Sequence, residues 1–169
     1  MKLIVIRGPA GCGKTEIANI LADRLSAAVV HADWLKTAVR HRHPEIADRH
    51  RIRQLAYEGT LRELKRLYQA RAPVVIVEEL LIDPDFVNAL RRFGDRLAER
   101  PVWFRLKRDL DKLMSTEETP RRQARPQQNS RADLLEMERQ LDRLPVPDEI
   151  RIDNNGPIDG AVTTILAAL

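Results

Sequence analysis

The stretch LIVIRGPAGCGKTEIANIL, residues 3–21, decides the fold of this chain. It joins a short apolar run, typical of a buried strand, to a segment whose apolar residues recur every four positions, typical of an amphipathic helix. Between the two, residues 8–15 match the phosphate-binding pattern G-x-x-x-x-G-K-[ST], and we call them the P-loop. The predicted nucleotide-binding residues are Gly8, Pro9, Ala10, Gly11, Cys12, Gly13, Lys14 and Thr15.

Each part of the P-loop has a physical task. Glycines let backbone N–H groups turn inward around phosphate oxygens, and the helix start adds unpaired N–H groups and the positive end of the helix dipole. Lys14 supplies a mobile cation that acts on the transferring phosphate, and Thr15 supplies a hydroxyl for Mg²⁺. The pattern therefore predicts binding of a nucleoside triphosphate with Mg²⁺. The alternative is a glycine-containing turn with an incidental lysine.

Length and composition fit a single domain covering residues 1–169. A chain of 169 residues buries enough surface to fold without disulfides, and its one cysteine cannot form an internal bridge. The apolar run at the N-terminus is too short for a secretion signal or a membrane span, which predicts a cytoplasmic protein without a membrane partner. The net charge of +4 is compatible with an anionic partner, whereas an aromatic content of 4% disfavours a base-stacking platform.

Strand-like apolar runs alternate with helix-like periodic segments along the whole chain. This alternation predicts an α/β fold of three layers, with a five-stranded parallel sheet flanked by helices. The predicted strands are residues 3–6, 28–30, 74–77, 102–106 and 149–152. The predicted helices are residues 14–25, much of 45–71, 83–96, a segment capped by Ser130 and 157–168.

Residues 115–130, STEETPRRQARPQQNS, follow neither pattern and are predicted to form a mobile loop. The loop carries Arg121, Arg122 and Arg125, and no acid lies between Arg121 and Arg131. We predict a lid whose Arg121 and Arg125 close over the nucleotide, exclude water and neutralise charge on the transferring phosphoryl group. A solvated surface loop is the alternative.

Asp33 follows the second predicted strand, at the sheet edge where the P-loop also lies. A carboxylate at this place can orient an acceptor hydroxyl and take its proton during phosphoryl transfer. Lys36, one turn later, is a candidate for holding an anionic part of the substrate. Asp33 could instead only cap a helix that begins at Trp34.

Glu78 and Glu79 end the third predicted strand, where P-loop proteins commonly place an acid that serves Mg²⁺. Strand alternation allows only one of them to face the nucleotide cleft, and we favour Glu78. Two solvated charges at a strand end are an equally good reading.

The stretch from Lys36 to Arg53 carries six Lys or Arg and three His against two acids, and Arg40 lies within it. We predict that Lys36 and Arg40, with Asp33, bind the substrate. The stretch fits an anionic substrate such as a nucleic-acid end or a phosphorylated metabolite, or else a solvated helix surface.

The segments GPAGCGKT and HADWLK, with the arginine-bearing loop before a late helix, resemble the small P-loop kinases of the nucleoside-monophosphate-kinase-like group over essentially the full chain. That group includes gluconate and shikimate kinases, chloramphenicol phosphotransferase and polynucleotide 5′-kinase domains. The resemblance implies a five-stranded parallel sheet, ATP with Mg²⁺, and transfer of the γ-phosphoryl to a hydroxyl of a small molecule or a nucleic-acid end. Asp33 matches the proton acceptor of the group. Lys36 departs from the arginine of several members, which removes a bidentate clamp for substrate phosphate.

Two other functions stay open. The segment RHRHP after HADWLK is similar to the zeta-toxin kinases, although this chain is short for that group. A P-loop ATPase switch without a small-molecule acceptor is the reading from a different class. The resemblance implies ATP rather than GTP as the nucleotide.

Overall fold

The computed structural model describes residues 1–119 and 128–169, and its centre is a sheet of five parallel strands. The strands are short, and Val and Ile are their commonest residues, as expected where both faces of a sheet are covered. The strands are β1 (Lys2–Arg7), β2 (Ala28–His31), β3 (Val74–Glu79), β4 (Val102–Lys107) and β5 (Ile150–Asp153). The predicted α/β fold with five parallel strands is confirmed.

The strand order β2-β3-β1-β4-β5 places β1 in the middle. The chain first extends the sheet on one side of β1 and then crosses to the other side, so β1 marks the point where the strand order reverses. In open α/β sheets, ligands bind at the carboxyl ends of the strands beside such a reversal. The P-loop follows β1 and therefore lies at this crevice.

The helices of the described residues form two layers. They are α1 (Lys14–Leu25), α2 (Ala32–Arg42), α3 (Arg49–Gln69), α4 (Pro84–Gly94), α5 (Leu110–Glu117), α6 (Arg131–Arg143) and α7 (Ile158–Ala167). The layer of α1 and α7 packs Ile17, Leu21, Val162 and Ile165 with Ile4, Ile6, Ile76 and Phe104. The layer of α3 and α4 packs Leu64, Leu67, Phe86 and Leu90 with Leu3, Val5, Val75 and Val77.

Helix boundaries follow local capping. The side chain of Asp48 accepts a hydrogen bond from the amide of His50, so α3 begins at Arg49 rather than further upstream. Ser130 and Asp133 form a reciprocal capping box at the start of α6, which confirms the predicted cap. Among the described helices, none is both long and apolar enough for a membrane crossing.

The predicted loop of residues 115–130 is wrong in its first part. Residues 115–117 belong to α5, because Leu113 and Met114 pack into the core and carry the helix to Glu117. The short apolar pattern of α5 does not stand out from the polar sequence that follows it. Glu117 is buried and accepts hydrogen bonds from the backbone and side-chain N–H groups of Asn129. These bonds connect the end of α5 to the residues just before α6.

A buried ion pair joins the end of β1 to the start of β5. The Arg7 guanidinium is fully buried, and Arg7 Nη2 donates to Glu149 Oε2 at 3.0 Å and to the carbonyl oxygen of Leu144 at 2.8 Å. Arg7 Nε also donates to Glu149. Because Gly8 follows directly, the same contacts fix the backbone on which the P-loop begins.

We predict that Glu149→Gln lowers the free energy of unfolding by about 3–5 kcal/mol, because it leaves a buried guanidinium without a counter-charge. Urea denaturation measures this change. The control is Asp159→Asn, which breaks the exposed Arg24–Asp159 pair of 3.5 Å and should cost less than about 1 kcal/mol. Equal losses in the two variants would contradict the assigned role of the buried pair.

Candidate active site

The P-loop connects β1 to α1, and two of its glycines are fixed by close neighbours. Gly13 is the N-cap of α1 with φ of 92°, and a Cβ there would lie 2.7 Å from Asn154 Nδ2. At Gly8, a Cβ would lie 2.7 Å from the carbonyl oxygen of Leu106. The carboxyl ends of β4 and β5 thus approach the P-loop so closely that a side chain is excluded at both glycines.

Lys14 folds back over the P-loop. Its Nζ donates to the carbonyl oxygens of Gly8 at 2.9 Å and Pro9 at 2.8 Å, and the residue is only 9% exposed. The loop therefore holds a buried cation next to the unpaired N–H groups at the start of α1. Both features attract an anion with several oxygens, such as phosphate.

Cys12 is buried in the P-loop, and its environment makes it a poor nucleophile. Burial raises the pKa of the thiol, and nearby Lys14 lowers it by less. A buried thiol of raised pKa is largely protonated at neutral pH, and the thiolate is the reactive form. Cys12 instead packs with the core beneath the loop.

Glu78 points toward the P-loop from the end of β3. Thr15 Oγ1 donates to Glu78 Oε1 at 3.2 Å, and His31 Nδ1 lies 2.9 Å from the same oxygen. A carboxylate only accepts, so the Nδ1–H of His31 is the donor. Glu78 and His31 are both buried, which fixes the carboxylate beside the first turn of α1.

This oxygen donor set fits a magnesium ion. Mg²⁺ prefers hard oxygen ligands, usually one or two from the protein and the rest from water and phosphate. Thr15 Oγ1 and Glu78 Oε1 are two such donors next to the phosphate-attracting loop. Within residues 1–119 and 128–169, no group of three or more His, Cys, Asp or Glu could hold a metal by protein ligands alone.

Glu79 points to the opposite face of β3 and organises the start of α2. Lys36 Nζ donates to Glu79 Oε1 and, at 3.0 Å, to Asp33 Oδ1. Glu79 Oε2 also accepts from the amide of Leu81 at 2.6 Å. Consecutive glutamates therefore serve two different parts of the same edge, as strand alternation requires.

Asp33 does not cap its helix. Helix α2 begins at Ala32 with His31 at the N-cap, so Asp33 is the second helical residue and its side chain is 61% exposed. The interpretation of Asp33 as the cap of a helix beginning at Trp34 is wrong. Asp33 instead presents a carboxylate at the carboxyl edge, held by an ion pair with Lys36.

Lys36 remains charged over the neutral range. Burial by itself lowers the pKa of Lys36, but the ion pairs with Glu79 and Asp33 outweigh burial and raise that pKa above its ordinary value of 10.5. The stability gained from these pairs is therefore complete at neutral pH and is lost only as the pH rises through the raised pKa. The ammonium of Lys36 pairs with the carboxylates of Asp33 and Glu79. Its effect in this structure is therefore to hold the Asp33 carboxylate in place.

The remaining predicted residues divide into two groups. Arg40 is exposed and lies one helical turn after Lys36, on the same side of α2 as Asp33. Within the described ranges Arg40 forms no ion pair. Arg121 and Arg125 lie outside the described residues.

Sequence reasoning missed Arg108 and Asn154. Arg108 follows β4, and its Nη1 donates to the carbonyl oxygen of Gly11 at 3.3 Å. Asn154 follows β5, is buried, and its Nδ2 donates to the carbonyl oxygen of Cys12 at 2.9 Å. Their positions directly after predicted strands are the signal that could have found them, since strand ends meet at one edge.

A groove of about 530 Å³ adjoins the P-loop at Arg108. Residues from the ends of β4 and β5 and from α5 and α6 line it, including Lys107, Asp109, Leu113 and Asn155. Asn155 is fixed there, because its Oδ1 accepts from the amide of Asp109 at 2.8 Å. The site thus has a phosphate-attracting centre, a carboxylate across the cleft and a mixed polar groove on the far side.

Comparisons with known proteins agree with this geometry. The model of the AAA domain family matches residues 3–147. The structure is similar to shikimate kinase from Bacteroides thetaiotaomicron, with 17% identity, a TM-score of 0.72 and coverage of 99% of each chain. The tunicamycin resistance protein of Deinococcus radiodurans has 21% identity and a TM-score of 0.71, with 99% of this chain and 94% of that chain covered.

A gluconokinase from Sinorhizobium meliloti 1021 is also similar, at 17% identity and a TM-score of 0.66, with 98% of this chain and 90% of that chain covered. No curated protein sequence matches the chain. The structural matches show that this chain has the fold of the small P-loop kinases.

We predict that Gly13→Ala lowers the free energy of unfolding by about 1–3 kcal/mol, because a Cβ meets Asn154 and the left-handed backbone becomes strained. Chemical denaturation measures the loss. The control is Gly160→Ala in α7, where a Cβ meets nothing within 4 Å and alanine should raise stability by about 0.4–1 kcal/mol. An unchanged Gly13→Ala variant would argue against this close packing.

Proposed function

Because the chain belongs to the AAA domain family, we propose that it is an ATP- and Mg²⁺-dependent phosphotransferase that moves the γ-phosphoryl group to an alcohol hydroxyl. The observation that carries the proposal is the placement of Asp33. Its exposed carboxylate lies two residues beyond β2, on the same sheet edge as the P-loop that follows β1. A carboxylate across the cleft from a phosphate site suits transfer to an acceptor better than hydrolysis alone.

The P-loop binds the triphosphate in this proposal. Backbone N–H groups of the P-loop residues other than Pro9 surround the β-phosphate, and the Lys14 ammonium moves from the loop carbonyls to the phosphate oxygens. Thr15 and Glu78 would hold a Mg²⁺ ion, which would neutralise charge on the phosphates. The groove at Arg108 is the place proposed for the nucleoside part, since it adjoins the P-loop and offers both polar and apolar walls.

Asp33 acts on the acceptor. Its carboxylate accepts the hydrogen bond of the hydroxyl, orients the oxygen toward the γ-phosphorus and takes the proton as the new P–O bond forms. The bond from the γ-phosphorus to the bridging oxygen breaks, and ADP leaves. Lys36 holds the carboxylate in place through its ion pair, and Arg40 attracts an anionic group of the acceptor.

The lid residues remain predictions. Arg121 and Arg125 would stabilise charge on the transferring phosphoryl group and help exclude water. Phosphoryl transfer in water-free surroundings separates a kinase from an ATPase, so a lid is expected for this function. The resemblance to gluconokinase and shikimate kinase structures supports a small hydroxyl-bearing acceptor, and the basic residues of α2 also suit a nucleic-acid end.

We predict that Lys14→Ala abolishes acceptor-dependent ADP formation, because the only P-loop cation is removed. Calorimetric titration with ATP and Mg²⁺ should show at least a tenfold loss of affinity, about 1.4 kcal/mol. Lys2→Ala, which removes an ammonium at the other end of β1, should leave both measurements unchanged. Retained turnover in Lys14→Ala would contradict the proposed triphosphate site.

We predict that Asp33→Asn lowers kcat by about 100-fold or more and leaves ATP affinity nearly unchanged, since only proton removal is lost. ADP production is measured with a panel of sugars, sugar acids, nucleosides, aminoglycosides and RNA ends. Asp159→Asn is the matched control, because Asp159 is likewise the second residue of its helix and is paired with an arginine.

The kcat of Asp33→Asn should be about 100-fold or more below the kcat of Asp159→Asn. If Asp33→Asn and Asp159→Asn behave alike, Asp33 has no part in the chemistry. If no acceptor raises ADP production and only a protein partner does, the chain is an ATPase switch instead.

A further inference from the structure

Trp34 is an exposed aromatic residue beside the proposed base. It directly follows Asp33 in the first turn of α2 and is 63% exposed, more than any other large apolar residue of the described ranges. Tyr68 at 49% and Leu135 at 39% come next. Tyr68 ends α3 next to Met1 and Pro73, at the opposite edge of the sheet, so it is remote from the P-loop.

The ring of Trp34 is held in place although it is exposed. It lies against the ring of His31 in a tilted arrangement, with ring centroids 4.0 Å apart and an interplanar angle of 31°. His31 is in turn fixed by the hydrogen bond with the buried Glu78. A rigid aromatic surface supported on one side loses little conformational entropy when a ligand covers it, which favours binding there.

Two exposed basic residues follow Trp34 along α2. Arg40 and His41 are exposed on α2, and His41 lies two turns after Trp34 on the same side of the helix. Neither of them forms an ion pair within the described ranges. The nearby carboxylates of Asp33 and Glu79 share the ammonium of Lys36, which leaves the Arg40 guanidinium to attract an anion on this side of α2.

We propose that Trp34 is the acceptor platform of this protein and stacks on a nucleobase, so that the acceptor is a nucleotide or a nucleic-acid end with a free hydroxyl. The base lies on the open face of the Trp34 ring, the phosphate near Arg40, and the hydroxyl at Asp33. The inference deepens the proposed function and rests on it. It also revises the expectation from composition, because one well-placed tryptophan suffices where aromatic residues are scarce.

Fluorescence tests the platform without any turnover. Wild-type protein and Trp34→Phe are saturated with a non-hydrolysable ATP analogue and Mg²⁺, and then titrated with three probes. The probes are a nucleoside 3′-monophosphate, a short oligonucleotide with a 5′-hydroxyl, and glycerol 3-phosphate, which has hydroxyls and a phosphate but no ring. The buried Trp103 provides a constant background in both proteins.

We expect a ring-bearing probe to quench the fluorescence of the wild type with saturation and to leave Trp34→Phe unchanged, whereas glycerol 3-phosphate has no effect. Quenching by the nucleoside 3′-monophosphate shows that the site accepts a free nucleotide. Quenching by the oligonucleotide alone shows that the site requires a nucleic-acid end. Absence of quenching by both ring-bearing probes, or quenching of the same size by glycerol 3-phosphate, overturns the platform.

Kinetics give the second test. Trp34→Ala should raise the KM for the ring-bearing acceptor by about 5- to 100-fold, with kcat within about threefold, because base stacking on an aromatic side chain contributes mainly to binding. Tyr68→Ala is the matched control and should change neither value. Thermal unfolding checks that both variants remain folded.

The two proposals fail separately. If the probes quench Trp34 but ADP never forms, the phosphotransferase proposal fails and the base-binding platform stands. If ADP forms with a ring-free acceptor and the KM is unchanged in Trp34→Ala, the platform fails and the phosphotransferase proposal stands.

Discussion

The alternation of side chains at the end of β3 is the constraint on which the site depends. Glu78 and Glu79 are consecutive, so the pleat sends their carboxylates to opposite faces of the sheet. One reaches Thr15 and His31 on the side of α1, and the other reaches Lys36 on the side of α2. A single strand end thus fixes both the phosphate side and the acceptor side of the cleft.

Three cationic side chains near the carboxyl ends of the strands are largely removed from water and pair with carboxylates. Arg7 pairs with Glu149, Lys36 with Glu79, and Arg105 with Glu138 at 2.6 Å and Asp142 at 2.7 Å. Removing a charge from water is costly unless its partners are well placed, so each pair fixes the distance between two elements. Arg105 ties β4 to α6, as Arg7 ties β1 to the start of β5. These pairs hold the strand ends in position around the P-loop.

The sequence predicted the sheet well because its signals are local. Runs of Val and Ile mark strands buried on both faces, and the P-loop pattern carries its own backbone requirements. Helix α5 was missed because eight residues with a short apolar pattern resemble the loop that follows. The start of α2 was misplaced because Asp33 is a good capping residue and nothing local shows that His31 takes that position.

The contacts that build the candidate site are long-range, which is why the sequence did not show them. Asn154 reaches Cys12 across 142 positions, and Lys36 reaches Glu79 across 43. No spacing rule relates such residues, since sheet order alone brings them together. The P-loop is therefore synthesised long before the residues that support it, since Glu149 and Asn154 lie 142 positions after Arg7 and Cys12. Its backbone gains the Glu149 and Asn154 supports only when the final strand has been translated, so a nascent chain carries an unfinished loop through most of its synthesis.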